Sequence, residues 1–384
     1  MAEDWQAGGF GLYVHWPFCA AKCPYCDFNS HVAQVIDHAC WRDAYLQEIA
    51  GYAELVPDRV LTSIFFGGGT PSLMEPETVA GVIGAARATW PVGNDLEVAL
   101  EANPTSVEAG RFAGYADAGV NRVSLGVQAL NGVDLQRLGR LHTVAEAMQA
   151  FEIAKKFFER TSFDLIYARQ DQSLAAWQEE LRRALDLAVD HLSLYQLTIE
   201  GGTAFGDRYA AGKLRGLPEE DLAADMYAAT QELCDAAGLE AYEVSNHAKP
   251  GAESRHNMVY WRYGDYAGIG PGAHGRLTIG GERHATEAWR APGKWLDAVA
   301  KGAGESLRES LGRNDQATEY LLMGLRLREG IDMARYERLA GVPLDAGRLR
   351  NLEEIGMVDI DGGHLRATQS GRAVLNAVLR ELLA

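Results

Sequence analysis

No apolar run in the 384 residues approaches the ~18 that a membrane-spanning helix needs, which argues against stable membrane insertion. The amino end, Met1 to Gly9, carries neither the basic nor the apolar segment of a secretory signal, so the expected compartment is the cytoplasm. Basic residues are scarce: 36 Lys and Arg against 53 Asp and Glu leave a net charge of −17. Such a chain repels phosphate backbones and anionic lipid, and nucleic acid is not expected among its partners. Cysteine is rare too. Five residues in a reducing compartment do not make a disulfide framework, but three of them fall within eight positions, and clustered cytosolic thiols point to metal. What is plentiful is core, since 47% hydrophobic composition over this length supports two or three domains.

Short β-branched or aromatic runs recur, each followed by a Gly/Pro/Asn-rich turn and a longer segment with helical periodicity. Six strands are expected at Leu12–Trp16, Leu61–Phe66, Leu96–Leu100, Arg122–Val127, Phe163–Tyr167 and His191–Gln196. Helices are expected between them, over Ala39–Leu55, Glu77–Thr89, Val107–Ala118, Thr143–Phe158 and Leu174–Leu187. Alternation of this kind means a parallel sheet with right-handed crossovers, either open and doubly wound or curled around a pocket.

Beyond the sixth strand the pattern predicts a helix over Pro218–Ala237 and a strand over Glu240–Ser245; Lys249–Gly281 follows, rich in Gly, Tyr and Trp but without a clear period. From Asn314 helices return. Met333–Ala340, Leu344–Ile355, two short strands around Asp361-Gly362-Gly363, and Gly371–Leu383 predict a winged helix. Residues 305–384 hold 11 Arg and no Lys against 13 Asp and Glu, so the basic footprint of a DNA-binding module is missing and a packing role is expected.

Cys19, Cys23 and Cys26 form C-x3-C-x2-C directly after the first strand. Three thiolates suit a [4Fe-4S] cluster with one iron left open. The alternative is zinc, with His15, His31 or Cys40 as fourth ligand, but the spacing lacks the C-x2-C pairing typical of zinc. Cys40 and Cys234 lie in helical patterns and are expected to be buried thiols. Gly67-Gly68-Gly69-Thr70-Pro71 closes strand two, where residues without side chains let a ligand reach the backbone. Glu101, Asn103, Gln128, Asp164 and Gln196 sit at or beyond the carboxyl ends of successive strands, the edge where ligands lie in α/β folds.

Together with Tyr13-Val14-His15, Glu101-Ala102-Asn103-Pro104, Ser124-Leu125-Gly126-Val127-Gln128 and His256-Asn257-x-x-Tyr260-Trp261, these motifs resemble the radical S-adenosylmethionine (SAM) proteins. Within them the chain resembles the oxygen-independent coproporphyrinogen III oxidase-like group, and most closely its heme chaperone branch. The resemblance implies an α/β fold, an incomplete (β/α)6 barrel over residues 1–245. A Gly- and aromatic-rich connecting segment over 246–304 and a winged-helix-like α+β domain over 305–384 would follow.

By matching motif positions, Cys19, Cys23 and Cys26 would hold the [4Fe-4S] cluster. Tyr13, Gly68, Gly69, Thr70, Glu101, Gln128, Arg140 and Asp164 would line the SAM site, with Arg140 suited to the SAM carboxylate. His256 would be an axial ligand to heme as cargo, with His274 as a second candidate. The resemblance further implies delivery of heme to acceptor proteins, respiratory ones among them, and an electron donor for the cluster; a homodimer is compatible with it.

The sequence departs from its relatives in two respects. Where the oxidase branch has a further cysteine two residues after the third, this chain has Phe28, and only 18 residues precede Cys19 where the oxidases carry a longer extension. Both argue for a carrier over the alternative, oxidative decarboxylation of coproporphyrinogen III. Tyr167-Ala168-Arg169-Gln170-Asp171-Gln172 stands where many relatives have a Gly-x-Pro-Gly-Gln turn, which changes that loop's backbone freedom.

Overall fold

The computed structural model describes residues 3–105, 109–302 and 304–384. The six expected strands are present as β1 (Phe10–Trp16), β2 (Leu61–Gly68), β3 (Val92–Ala102), β4 (Arg122–Gln128), β5 (Arg160–Tyr167) and β6 (His191–Gln196). They pair parallel in chain order from β1 to β6. The crossovers contain α1 (His38–Leu55), α2 (Pro76–Thr89), α3 (Phe112–Ala118), α4 (Val144–Phe157) and α5 (Leu174–Leu187). The expected start of the third helix, at Val107, lies outside the described residues.

Local chemistry sets the helix starts. Asp37 accepts from the Cys40 N–H and Ser173 from the Ala176 N–H, while Thr143 and Glu146 form a reciprocal capping box. One set of alternate strand positions, including Leu12, Val14, Ile64, Phe66, Val123, Leu125, Phe163 and Leu165, packs in the main core with helix residues such as Trp41, Tyr45, Val82 and Ile83. The other set carries Tyr13, Ser63, Ser124, Asp164 and Ser193. This period-2 division is what builds a polar interior beneath an apolar jacket.

The chain after β6 differs from expectation in two places. Glu240–Ser245 is not one strand: β7 (Glu240–Ala241) stops, the chain bends, and β8 (Asn246–Ala248) returns antiparallel to it. The buried Glu243 carboxylate imposes the bend, accepting from the Ser245 N–H and Asn246 Nδ2, both at 2.7 Å, and pairing with Arg326. Nor are residues 246–304 a connecting segment. They contribute β8, α6 (Arg255–Trp261), β9 (Asp265–Ile269), β10 (His274–Ile279) and β11 (Glu282–Ala288), and β12 (Glu305–Ser310) follows. The twelve-stranded sheet runs β12-β11-β10-β9-β1-β2-β3-β4-β5-β6-β8-β7, so β9 adds a seventh parallel strand beside β1. Five residues including a glycine were too short a run to register as a strand.

The carboxyl-terminal unit has its own apolar core and the expected winged-helix arrangement. It comprises α7 (Arg313–Gly324), β13 (Ile331–Asp332), α8 (Met333–Ala340), α9 (Ala346–Glu354), the hairpin β14 (Val358–Asp361) and β15 (His364–Ala367), and α10 (Leu375–Leu383). Gly362 and Gly363, both at positive φ, make the hairpin turn. Arg335 anchors the unit to the amino end, donating to the Asp4 carboxylate at 2.7 and 2.9 Å and to the Tyr263 carbonyl at 3.1 Å. Among the described residues, no helix is long and apolar enough to cross a membrane.

Candidate functional site

At the carboxyl ends of the parallel strands lies a cavity lined by Cys19, Cys23, Cys26, Gly68, Gly69, Thr70, Glu101, Gln128, Arg140 and Asp164. Loops, the ends of β3 and β4, and the middle of β5 bring these residues together from 146 positions of sequence, Cys19 to Asp164. The cysteine loop is pinned at its base, where Phe18–Cys19 pairs with His31–Val32 in a two-stranded ribbon. Burial pushes the Cys19 and Cys26 thiols up, so a metal must displace their protons on binding. Two neutral or cationic donors already face the sulfurs: Thr70 Oγ1 lies 3.4 Å from Cys19 Sγ, and Arg140 donates to Cys23 Sγ at 3.3 Å.

Among the described residues, no three His, Cys, Asp or Glu side chains converge on a point where a single ion would sit. Of the fourth ligands that zinc would need, none lines the cavity, and His31 Nε2 lies 3.3 Å from Asn29 Oδ1. His15 is buried, with Nδ1 at 3.0 Å from the Tyr13 hydroxyl and Nε2 at 2.9 Å from the Asn29 carbonyl; Cys40 is exposed. That exposure corrects the expectation of a buried thiol, since Cys40 occupies the first turn of α1 on its solvent side. Cys234 is buried as expected. Three thiols around one cavity without a common focus suit a cluster, in which each thiolate takes a separate iron.

The glycine turn has a conformational cause. Gly68 has φ +104°, and a Cβ there would lie 2.6–2.9 Å from the His15 ring; at Gly69 it would lie 2.7 Å from the Phe18 carbonyl oxygen. The turn therefore serves the close packing of β1 on β2 as well as access to the cavity. At the end of β4 a register shift re-aims Gln128, which adopts φ +69° and leaves its buried Oε1 without a hydrogen-bond partner. An orphaned acceptor on a strained residue in a cavity wall is the signature of a ligand contact. Arg140 is braced by Asn103 Oδ1 at 2.5 Å and the Gly126 carbonyl at 2.8 Å, while its Nε lacks a partner.

Glu101 and Asp164 are the electrostatic core of the site. Burial, reinforced by the Asp164 charge, pushes Glu101 up to about 8 despite the Gly68 N–H. Burial pushes Asp164 up to about 6, opposed by hydrogen bonds from Ser124 at 2.8 Å and from Ser193, and by the Arg140 charge. Two carboxyls raised by burial, of which only Asp164 feels the fixed Arg140 cation, make a cavity that gains from a second positive charge.

Three sequence-based placements are corrected. Tyr13 does not line this cavity; its hydroxyl is held by His15 and its ring lines a neighbouring cavity. His256 does not offer a free nitrogen. It is 1% exposed, with Nδ1 at 2.9 Å from Ser63 Oγ and Nε2 at 2.8 Å from the Tyr260 hydroxyl, and it stacks on Phe65. Burial lowers it to about 3, so the ring is neutral and acts as a spacer between two hydroxyls. Gln196, at the exposed end of β6, is not part of the cavity either. Conversely Tyr25, which no motif named, lines it, as do Ser124 and Gly126 of the Ser124-Leu125-Gly126-Val127-Gln128 motif, which were not assigned to the site. Ser124 and Gly126 alternate with outward Leu125 and Val127, a period-2 signal available in the sequence.

Residues 13–184 match the Radical SAM superfamily, and residues 311–374 match the HemN C-terminal domain. A curated bovine protein named radical S-adenosyl methionine domain-containing protein 1, mitochondrial, is 39% identical over 97% of this chain and 87% of its own length. The protein named heme chaperone HemW of Escherichia coli K12 is 37% identical over 97% of this chain and 98% of its own. The solved structure of the radical SAM enzyme coproporphyrinogen III oxidase (HemN) from Escherichia coli superposes with a TM-score of 0.80 over 98% of this chain and 92% of that one, at 23% identity. That likeness fixes the fold, an incomplete radical SAM barrel followed by a winged-helix-like domain. The chain belongs to the radical SAM superfamily, whose members carry a [4Fe-4S] cluster and SAM.

Proposed function

We propose that this protein is a heme chaperone: it binds heme and passes it to acceptor hemoproteins, using a radical SAM site as its resident cofactor centre. The observation that carries this reading is the likeness over 97% of the chain to proteins named heme chaperone, at 36–37% identity in two bacteria. The oxidase likeness, at 23% identity, speaks only to fold. Phe28 supports the same choice. It occupies the position where the oxidase branch has its further cysteine, and it is 58% exposed on the rim of the cavity. The acceptors, the electron donor, a cytoplasmic site of action and a homodimer belong to this proposal.

Cys19, Cys23 and Cys26 would hold the cluster, which supplies one-electron reducing chemistry when present. This chain's own residues do the rest. The Gly68–Thr70 backbone lines the cavity wall, Gln128 Oε1 offers an unused acceptor, Arg140 offers a guanidinium for a carboxylate, and Glu101 and Asp164 face positive charge.

A pH dependence follows from Glu101. Its folded value of about 8 lies above that of the unfolded chain, so the folded state holds the proton longer, and stability falls as pH rises from the ordinary carboxyl range towards 8. A cationic ligand prefers the ionised form. SAM affinity is therefore expected to rise with pH between about 6 and 8, by at most about tenfold per unit, and to level off above. Isothermal titration at several pH values checks this; Glu101→Gln should flatten the profile, and an equally steep profile in that variant would remove Glu101 from the role.

The function itself is tested by anaerobic reconstitution followed by parallel assays. The wild-type protein should bind heme, and should not decarboxylate coproporphyrinogen III with SAM and a reductant supplied. Turnover at rates of about 1 per second, ordinary for an enzyme, would overturn the carrier reading.

A further inference from the structure

Beside the cofactor cavity lies a second one, of about 420 Å³, that shares Phe28, Gly68 and Glu101 with it. That volume is within the range of pockets for small organic ligands. Its walls are aromatic. Tyr13 from β1, Phe65 from β2, Tyr260 from α6 and Tyr266 from β9 line it, and each is only partly buried although all stand among core strands and helices.

The two tyrosines nearest the barrel interior have their hydroxyls tied back. The Tyr13 hydroxyl meets His15 Nδ1 at 3.0 Å and the Tyr260 hydroxyl meets His256 Nε2 at 2.8 Å. Both rings are thereby fixed with their polar ends satisfied by the protein, so these rings offer an occupant apolar and π surface, while Asn29 and Glu101 add polar atoms to the same lining. Buried His15 and His256 are positioning residues for this wall.

The mouth carries different chemistry. His274, at the start of β10, is 60% exposed, and its Nδ1 lies 3.6 Å from Glu287 Oε1 on β11. At 3.6 Å the carboxylate is within ion-pairing range but beyond hydrogen-bonding distance, and an exposed imidazole at a cavity mouth can offer a nitrogen to a metal. Arg290 lines the same cavity, is exposed, and has no carboxylate partner among the described residues. Aromatic walls, one exposed imidazole and one guanidinium without a carboxylate partner among the described residues match a flat metalloporphyrin bearing carboxylates.

We propose that this second cavity is the cargo site, in which His274 supplies an axial imidazole to the heme iron and Arg290 pairs with a propionate. The assignment rests on the carrier reading and moves the axial role away from His256. It also seats the porphyrin against the shared wall of the cofactor cavity, at Phe28, Gly68 and Glu101, so that cargo and cofactor are neighbours. No bond is made or broken within either ligand by this docking. Iron gains a nitrogen donor, and a carboxylate gains a cation.

The test is titration of the anaerobically reconstituted full-length protein with hemin, followed by absorption and electron paramagnetic resonance. Both key side chains are exposed, so their substitution leaves the core and SAM binding unchanged. His274→Ala should weaken hemin at least about tenfold and remove the histidine-ligated spectrum, and free imidazole should restore that spectrum. Arg290→Gln should weaken hemin about tenfold with the iron spectrum unaltered. Hemin dimethyl ester, which lacks the propionate charges, should bind wild type more weakly and lose nothing further in Arg290→Gln.

Wild-type binding of hemin with wild-type affinity and spectrum in both variants would overturn the site while leaving the carrier reading intact. Failure of the wild-type protein to bind hemin at all would overturn the carrier reading and this site with it.

Discussion

Alanine at Cys19, Cys23 or Cys26 will yield a protein without its cluster, in which reconstituted iron falls from about four per chain to near zero. Each thiol lies in a different geometric relation to the cavity, and no other cysteine can replace it: Cys40 points to solvent from α1, and Cys234 is buried in the helix Glu220–Ala236. Burial and the neighbouring Asp235 push the Cys234 thiol up to about 12, which leaves it inert at neutral pH. Cys40→Ala and Cys234→Ala should therefore reconstitute like wild type. Iron and acid-labile sulfide are the measurements. About four irons retained in any one of the three variants, or stoichiometric zinc as the metal of the wild-type protein, would refute the assignment.

The cysteine triad was legible because its chemistry is local: three ligands in one loop after one strand. The parallel strands were legible for a similar reason, as each is a short β-branched run followed by a helix with a capping residue such as Asp37, Thr143 or Ser173. Glu101 and Gln128 could be placed at one edge because they end successive strands, whereas Asp164 stands within the next strand, three residues before its end. Their electrostatics could not be read. That the Asp164 charge raises Glu101 depends on the curl of β3, β4 and β5, which sequence spacing does not encode.

His256 shows where motif reasoning loses to packing. A histidine followed by Tyr260 and Trp261 has the composition of a heme contact, yet α6 inserts it between Ser63 and Tyr260 inside the barrel. His274 offered less in sequence, since its partner Glu287 comes from the next strand and only the β10–β11 register, His274 opposite Glu287, brings the two together. The same non-local pairing hid β9, whose five residues are identifiable as strand only through their ladder with β1.

The loop that departs from the Gly-x-Pro-Gly-Gln pattern gives the largest expected effect on stability. Ala168 and Asp171 both adopt the left-handed conformation, at φ +58° and +57°, which side chains other than glycine disfavour. The backbone is held there by Arg169, whose side chain is 3% exposed. Its guanidinium pairs with Glu180 and with Asp134 at 2.9 Å, and donates to the Ile166 carbonyl at 2.6 Å. The Arg169 N–H meets Gln172 Oε1 at 3.1 Å, closing the loop on itself. A buried fork of donors thus does by hydrogen bonding what glycine and proline would do by backbone preference.

Arg169→Ala should cost about 3–5 kcal/mol, because it strands the buried Glu180 carboxylate without a cation and releases two strained residues. Arg137→Ala should cost less than about 1 kcal/mol: Arg137 also pairs with this loop, at Asp171, but both side chains are substantially exposed. Arg169→Lys should fall between them, since an ammonium cannot reach Glu180, Asp134 and Ile166 in one plane. Urea unfolding of the three variants gives the comparison. Arg169 also lies 3.5 Å from the carbonyl of Gln128, so SAM affinity should fall in Arg169→Ala and hold in Arg137→Ala. Equal unfolding midpoints for the two alanine variants would mean that the loop keeps its shape without the buried guanidinium.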